Sequence, residues 1–159
     1  MERTRAILTQ TSSAVATPEA AVEALRRTGR RASAARRLVL EALFAADGPM
    51  SADQIADGIG GRVPRSDLTS VYRNLETLAQ AGVVRHLHVA HGPGLYAIAR
   101  DEDEGFLACE RCGDVRAGNP HALSVIRGAV RKAFGYDASF LHFPIVGVCP
   151  DCAPHEAQR

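Results

Sequence analysis

The chain has 159 residues, a formal net charge of +1 and 46% hydrophobic residues, a composition typical of a globular protein with one domain or two small ones. No apolar run approaches the roughly 20 residues of a membrane span, so we expect no membrane segment. Residues 7–24 are interrupted by polar residues and lack the apolar run of a secretory signal, so we expect the protein in the cytoplasm.

The charge is divided unevenly along the chain. Residues 1–100 carry 13 arginines against 9 acidic residues, whereas residues 101–159 carry 6 lysines and arginines against 9 acidic residues. A basic first part and an acidic second part predict that the two parts meet different partners.

The residue pattern in the first part of the chain indicates several helices. The first of them is predicted over Pro18 to Arg27. Ser33 is the expected N-cap of a second helix, which runs to about Ala46, and Ser51 caps a short helix that ends near residue 59.

A further helix begins at Ser66 or Asp67 and ends before Gly82. The apolar stripe expected to face the core consists of Leu68, Val71, Leu75 and Leu78, and Thr77 is expected to point away from it to solvent. The N-terminal part of this helix carries polar side chains, at the place where a recognition helix meets base edges in the major groove. These candidate DNA contacts are Thr69, Ser70, Tyr72 and Arg73. The alternative is an ordinary amphipathic helix with a solvated polar face.

Six arginines lie within the twelve residues from 26 to 37. A solvated basic face explains many such clusters. Beside a DNA-binding helix, however, arginines neutralise phosphates and make binding strongly dependent on salt. The candidate phosphate contacts are Arg30, Arg31, Arg36 and Arg37.

Two apolar segments, Val83–Val89 and Leu95–Ala99, predict a two-stranded hairpin after the last of these helices. Helices followed by such a hairpin predict a winged helix-turn-helix domain over residues 18–99. The residues before it, 1–17, are rich in Thr, Ser and Ala and predict a disordered arm. An acidic run predicts a linker over residues 100–105.

The remainder of the chain predicts a small α/β domain over residues 106–153 and a tail over 154–159. Its predicted elements are short strands at Phe106–Cys109 and Asp114–Arg116, a helix from Pro120 to Phe134 with Asn119 as N-cap and Gly135 as its end, and a strand at Ser139–Val148. One side of the helix is expected to consist of Leu123, Ile126, Val130 and Phe134.

Four cysteines form two CxxC pairs, Cys109 with Cys112 and Cys149 with Cys152, with 36 residues between the pairs. Two thiolates from each of two tight turns match a tetrahedral zinc site, and a closed shell of four thiolates leaves no position for water. The pattern therefore predicts a structural Zn²⁺. The alternative is a thioredoxin-type redox pair, but that chemistry needs only one CxxC.

Three histidines form a second candidate metal site. His86 and His88 lie two residues apart on a predicted strand, so both side chains leave the same face, and His142 lies on the later predicted strand. Three convergent imidazoles suit Ni²⁺, Zn²⁺, Cu²⁺ or Fe²⁺. Spacing alone leaves three unrelated polar positions as the alternative.

The segment Thr69–Leu78 (TSVYRNLETL), then Ala-Gly-Val-Val and the two CxxC pairs, resembles the ferric uptake regulator family of metal-responsive repressors. The resemblance covers about residues 25–153. It implies a winged-helix DNA-binding domain and a C-terminal α/β dimerisation domain. It also implies a homodimer that binds palindromic operators in duplex DNA when it carries its effector metal.

Within this family, the segment that begins at His86 (HLHVAHG) and the segment from His142 to Cys149 are similar to the nickel-responsive branch. In that branch, the histidines that match His86, His88 and His142 form the nickel site. The resemblance therefore implies a regulatory metal on these three residues.

Other positions depart from the family pattern. The histidine-rich stretch expected before the first CxxC is replaced by residues 102–106, whose carboxylates include Glu102 and Glu104. Two further positions at which the family carries a metal ligand are occupied by Ala97 and Pro49. We therefore expect a second sensing site, between the domains, to be absent or rebuilt from carboxylates.

The combined interpretation is an α+β protein that acts as a homodimeric transcriptional repressor on double-stranded DNA, with structural zinc and a second divalent metal such as Ni²⁺, Zn²⁺ or Fe²⁺. The alternatives are a thiol redox switch, in which oxidation ejects zinc, a DNA-binding regulator without a metal response, and a zinc-dependent hydrolase that uses the histidines. The sequence offers no well-placed general base, so we predict that the protein is not an enzyme.

Overall fold

The computed structural model describes residues 15–58, 66–89, 92–100 and 105–153. The helices in these ranges are α1 (Pro18–Arg27), α2 (Ala34–Ala45), α3 (Ala52–Asp57), α4 (Leu68–Gln80) and α5 (Pro120–Phe134). The strands are β1 (Met50–Ser51), β2 (Val84–Leu87), β3 (Leu95–Ile98), β4 (Phe106–Cys109), β5 (Val115–Ala117) and β6 (Ile145–Gly147). None of the described helices is long and apolar enough to cross a membrane.

The helix ends follow capping chemistry that the sequence contains. Ser51 and Gln54 form a capping box at the start of α3. The side chain of Asn119 accepts a hydrogen bond from the backbone N–H of Ala122 at 3.1 Å, and Gly135, with φ of 71°, ends α5 in the left-handed region. A side-chain oxygen satisfies an N–H that the helix itself leaves free, which fixes where the helix starts. The predicted bounds of α1 and α5 are confirmed.

The first sheet has the strand order β1-β3-β2 and is antiparallel throughout. The pair β2 and β3 is the predicted hairpin, which is confirmed. The strand β1 was not predicted, because two residues are too few to show an alternating pattern. Together with α2, α3 and α4, this sheet forms the winged helix-turn-helix domain.

The core of the first domain lies between its helices and the sheet. Its fully buried side chains include Leu25, Leu40, Ile55, Leu75 and Leu78. Val15 belongs to the same core: its side chain is 2% exposed and its backbone N–H donates to the carbonyl of Ala99 at 3.0 Å. The predicted disordered arm over residues 1–17 is therefore wrong at its end, and residues 1–14 lie outside the described ranges.

Two expectations about α4 are wrong. Leu68, expected in the buried stripe, is 38% exposed because it occupies the first helical position, at the edge of the core. Thr77, expected to point to solvent, is buried. Its hydroxyl donates to the carbonyl of Arg73 at 2.9 Å, and this local bond allows a polar side chain to be buried.

The second sheet has the order β5-β4-β6, with β4 antiparallel to β5 and parallel to β6. Among the residues of α5, Leu123 is the buried one, and Gly118 makes room for it. A Cβ at Gly118 would lie 3.0 Å from the methyl groups of both Leu107 and Leu123. The remaining apolar side of α5 is not covered within one chain, since Phe134 is 74% exposed.

The predicted strand over residues 139–148 is wrong in extent. Only Ile145–Gly147 pairs within the second sheet. Pro144 precedes it, and proline has no N–H to donate to a ladder. The predicted linker falls mainly on residues 101–104, and these and the predicted tail at 154–159 lie outside the described ranges.

Candidate metal centre and nucleic-acid interface

The four cysteine sulfurs lie within 4.8 Å of one another. The Sγ atoms of Cys112 and Cys149 are 3.8 Å apart, and all four thiols are free of disulfides. Four thiolates about 2.3 Å from a tetrahedral zinc would be separated by about 3.8 Å, so the spacing fits zinc. Among the described residues, these four cysteines are the one cluster of His, Cys, Asp or Glu with ligand atoms this close together.

Two tight turns present the thiols. In the first, the N–H of Gly113 donates to the carbonyl of Cys109 at 2.9 Å, and a φ of 74° at Gly113 suits glycine. In the second, the N–H groups of Cys152 and Ala153 both donate to the carbonyl of Cys149, at 3.0 and 2.8 Å. Each turn therefore holds its two sulfurs on one side.

Contacts between the turns complete the cluster. The backbone N–H of Cys149 donates to Sγ of Cys109 at 3.3 Å, and the guanidinium of Arg111 donates to the carbonyl of Cys152 at 2.7 Å. The N–H of Glu110 donates to the carbonyl of Gly147 at 2.9 Å, which continues the pairing of β4 with β6. The parallel strand pair thus brings two turns that are distant in sequence side by side.

The thiols respond differently to this environment. Hydrogen bonds from the backbone N–H of Cys112, and then of Cys149, lower the pKa of Cys109 to about 6. Hydrogen bonds with the thiols of Cys149 and Cys112 raise the pKa of Cys152 to about 12. Closely packed thiols cannot all become negative without a cation, because like charges repel. A divalent metal on all four sulfurs would remove that repulsion.

The three histidines are neighbours. The ring centroids of His86 and His88 are 4.3 Å apart. The N–H of His88 donates to the carbonyl of His142 at 3.0 Å, and Nδ1 of His142 lies 3.3 Å from the carbonyl oxygen of His86. Burial, and then the nearby His88 and His142, lower the pKa of His86. A lowered pKa favours the neutral imidazole, which is the form that binds metal.

The imidazoles have the donor chemistry of a transition-metal site, but their ring nitrogens are not clustered as closely as the cysteine sulfurs. Two residues that the sequence pattern did not single out determine the position of His86. Tyr96, its partner across the strands, stacks on its ring at 4.7 Å with an interplanar angle of 8°. Gly94 gives it room, since a Cβ there would lie 2.2 Å from Nε2 of His86.

The N-terminal part of α4 exposes most of the polar side chains predicted to contact DNA, and the contacts themselves stay a prediction. Thr69, Tyr72 and Arg73 are exposed, and Ser70 is partly exposed. The carboxylate of Asp67 caps the helix by accepting from the N–H of Ser70 at 2.7 Å.

A buried residue, Asn74, supports this surface and was not identified from the sequence. Its amide donates to the carbonyl of Ser70 at 2.8 Å and approaches the hydroxyl of the same residue at 3.3 Å. Its position one turn after Ser70 is the signal that would have identified it.

The arginine cluster has internal partners as well as exposed groups. Arg30 donates to the side-chain oxygen of Gln80 at 2.8 Å, which ties the cluster to the end of α4. Arg36 donates to the carbonyl of Arg31, and Arg37 donates to the carbonyl of Ala32 at 3.4 Å. A guanidinium has five N–H donors, so donors remain for phosphates after these bonds.

Comparison with known proteins agrees with the family resemblance. The model of the ferric uptake regulator family matches residues 27–138. The peroxide operon regulator of Bacillus subtilis is 26% identical over 136 residues, which cover 86% of this chain and 93% of that protein. The zinc uptake regulation protein of Mycobacterium tuberculosis is 27% identical over 124 residues, which cover 78% of this chain and 95% of that protein.

Solved structures share the fold. The ferric uptake regulator of Helicobacter pylori, described as having three functional metal binding sites, matches with a TM-score of 0.67 and 23% identity over 91% of this chain and 99% of its own. The regulator of Vibrio cholerae matches with a TM-score of 0.63 and 20% identity, over 80% of this chain and 98% of its own.

The relatives found are peroxide, zinc and ferric regulators, so the likeness to the nickel-responsive branch stays a prediction. Members of the matched family are transcription regulators, which removes the hydrolase alternative. The chain belongs to the ferric uptake regulator family of metal-responsive, DNA-binding transcription regulators, and it is not an enzyme.

Proposed function

We propose that the protein is a metal-responsive repressor that binds a palindromic operator as a homodimer. It would carry a structural zinc on Cys109, Cys112, Cys149 and Cys152, and a separate effector metal on His86, His88 and His142. The observation that carries the proposal is the combination of an exposed, arginine-flanked recognition helix in one domain with a closed four-thiol cluster in the other.

DNA recognition is assigned to the N-terminal part of α4. The guanidinium of Arg73 can pair with guanine, while the hydroxyl groups of Tyr72 and Ser70 can reach phosphates and their side chains can contact thymine methyl groups. Asn74 orients Ser70 from the buried side of the helix. The arginines at residues 30–37 would contact phosphates on either side, which makes the expected binding strongly dependent on salt.

Dimer formation is assigned to the second domain, because many of its large apolar side chains are exposed. Those that are at least 37% exposed are Leu107, Val125, Ile126, Phe134, Tyr136, Phe143, Val146 and Val148. In the described part of the first domain, the large exposed apolar side chains are Leu68 and Tyr72. Apolar surface of this extent marks an interaction site, and a second copy of the chain would cover it.

The zinc would stabilise the fold and would not sense metal concentration. A four-thiolate shell has no open position for an exchanging ligand. The sheet it ties together is small, and α5 contributes one fully buried side chain to its core. Small domains of this kind commonly depend on metal for stability.

The effector metal is assigned to the histidines because two ligand positions of the family's site between the domains hold residues without metal-binding side chains. Pro49 and Ala97, where the family pattern has ligands, line a cavity of about 340 Å³ together with Phe44 and Phe106. Neither Pro49 nor Ala97 has a side-chain donor atom. The imidazoles, by contrast, suit a transition metal. When bound, this metal would link the wing, which is the hairpin of β2 and β3, to the second domain.

Repression by metal requires that the metal bind the DNA-competent form more tightly than the other form. Linkage then makes DNA and metal strengthen each other's binding, typically by about 1–3 kcal/mol.

A second candidate is a regulator that binds DNA and responds to thiol oxidation. It is supported by the exposure of Cys112 and predicts that zinc loss tracks oxidation.

Replacing Cys109 tests the structural zinc. We expect Cys109→Ser to lower the zinc content by about one atom per chain and to unfold the second domain, because three thiolates leave the shell open. Elemental analysis and circular dichroism measure the two effects. Glu110→Gln, an exposed change inside the same turn, is the control and should retain zinc. Full zinc occupancy in Cys109→Ser would contradict the assignment.

Replacing Arg73 tests DNA recognition. We expect Arg73→Ala to weaken operator binding roughly 5- to 150-fold, as for the loss of a bidentate base contact. Fluorescence anisotropy with a duplex selected by the wild-type protein measures the affinity at fixed salt. Arg131→Ala removes the same charge from the second domain, where Arg131 pairs with Asp137, and should bind as wild type. Equal affinities of the two variants would argue against α4 as the recognition helix.

A charge on the exposed sheet tests the dimer. Val146 is 49% exposed, and we expect Val146→Lys to raise the dimer dissociation constant at least about tenfold, because a buried unpaired charge opposes association. Analytical ultracentrifugation gives the constant. The control is Leu68→Lys, at an exposed apolar position in the first domain. Dimers of unchanged strength in Val146→Lys would place the interface elsewhere.

Replacing two histidines tests metal sensing. We expect His86→Ala combined with His88→Ala to abolish the stimulation of operator binding by metal while the fold and the zinc content stay unchanged. Titrations with Ni²⁺, Zn²⁺, Fe²⁺ and Mn²⁺ identify the effector. His121→Ala, an exposed histidine on α5, is the control. If the double variant keeps the metal dependence of the wild type, the sensing assignment fails.

A further inference from the structure

The strand β2 is an outer strand of the first sheet, because the strand order is β1-β3-β2. An outer strand has backbone N–H and C=O groups on one side that no neighbouring strand pairs. The residues around His142, which belong to the second half of the chain, lie along this side. The contact therefore joins the wing to the second domain.

Two hydrogen bonds make the contact, and both involve His142. The N–H of His88 donates to the backbone carbonyl of His142 at 3.0 Å. The side-chain Nδ1 of His142 lies 3.3 Å from the backbone carbonyl of His86. A carbonyl oxygen can only accept, so Nδ1 carries the hydrogen and donates it. His142 thus bonds through its ring to His86 in β2 and through its backbone to His88, which directly follows the strand.

Pro144 explains why this segment can serve two sheets. Residues 139–148 have the pattern of one strand, but the paired part within the second sheet is Ile145–Gly147. Pro144 is buried between the two pairings and cannot donate a ladder hydrogen bond. The chain before it bonds to the wing and the chain after it bonds to β4, so one short segment crosses from one domain to the other.

We propose that His142 is a positioning residue for the wing, and that its two hydrogen bonds hold the DNA-binding domain against the second domain whether or not an effector metal is present. The inference rests on the proposed function for its role in DNA binding. It does not compete with a role for His142 as a ligand. With Nδ1 donating to a carbonyl, Nε2 is the nitrogen left to accept a metal, as is usual for histidine ligands.

The test is the exchange rate of the His88 amide hydrogen in zinc-loaded protein without effector metal. We expect the amide to be protected in the wild type and to exchange about 3- to 10-fold faster in His142→Ala, the range for the loss of one supporting hydrogen bond. In His142→Asn the side-chain Nδ2 takes the place of the imidazole Nδ1, so protection should return to within about 3-fold of the wild type. His121→Ala is the matched control.

An unprotected His88 amide in the wild type would overturn the inference, and so would equal exchange rates in His142→Ala and the wild type. If His142→Asn did not recover the protection of the His88 amide, the inference would also be overturned, because the side-chain donor at this position would then not matter. Neither variant changes His86 or His88. If the histidines do not sense metal, the metal titrations of the variant that replaces His86 and His88 would show it. The exchange rate of the His88 amide in the His142 variants would not be affected.

Discussion

The parallel pairing of β4 with β6 is the constraint on which the second domain depends. Its register places Cys109 opposite Gly147, so the first CxxC turn begins where the strand leading to the second turn ends. Parallel strands cannot be joined by a tight turn, and α5 lies within the connection between them. The four thiols meet because this backbone pairing brings the two turns together, and a zinc on them would in turn hold the strand ends in place.

The segment from His142 to Cys149 connects the two domains. Within eight residues it contains the contact with the wing, the proline that ends that contact, the strand β6 and the first cysteine of the second turn. A displacement of the wing would therefore be transmitted to the thiol cluster through this short, covalently continuous segment. The same segment would connect a metal bound at the proposed effector site to the thiol cluster.

The arginines of the first domain form internal hydrogen bonds in addition to the phosphate contacts proposed for them. Arg30 bonds to Gln80 and Arg36 to the carbonyl of Arg31, so part of each guanidinium stabilises the connection between α1 and α2. Exposed donors that remain would be available to phosphates. On the proposed recognition helix α4, the buried Asn74 bonds to Ser70, so the orientation of a partly exposed side chain depends on a residue of the core. Core packing and the proposed recognition surface therefore meet within one helix turn.

Features that depend on local chemistry could be predicted from the order of residues alone. Capping residues fixed α1 and α5, the hairpin pattern located β2 and β3, and the paired CxxC spacing identified the thiol cluster. Features that depend on contacts between distant residues became apparent only in the folded chain. Val15 is held in the core by the hydrogen bond from its N–H to Ala99, whereas Leu68 is exposed because it lies at the edge of the core. The segment around Pro144 bonds to one sheet before the proline and to the other sheet after it. Spacing along the chain carries no information about which edge lies nearby, since that is set by how the two domains pack.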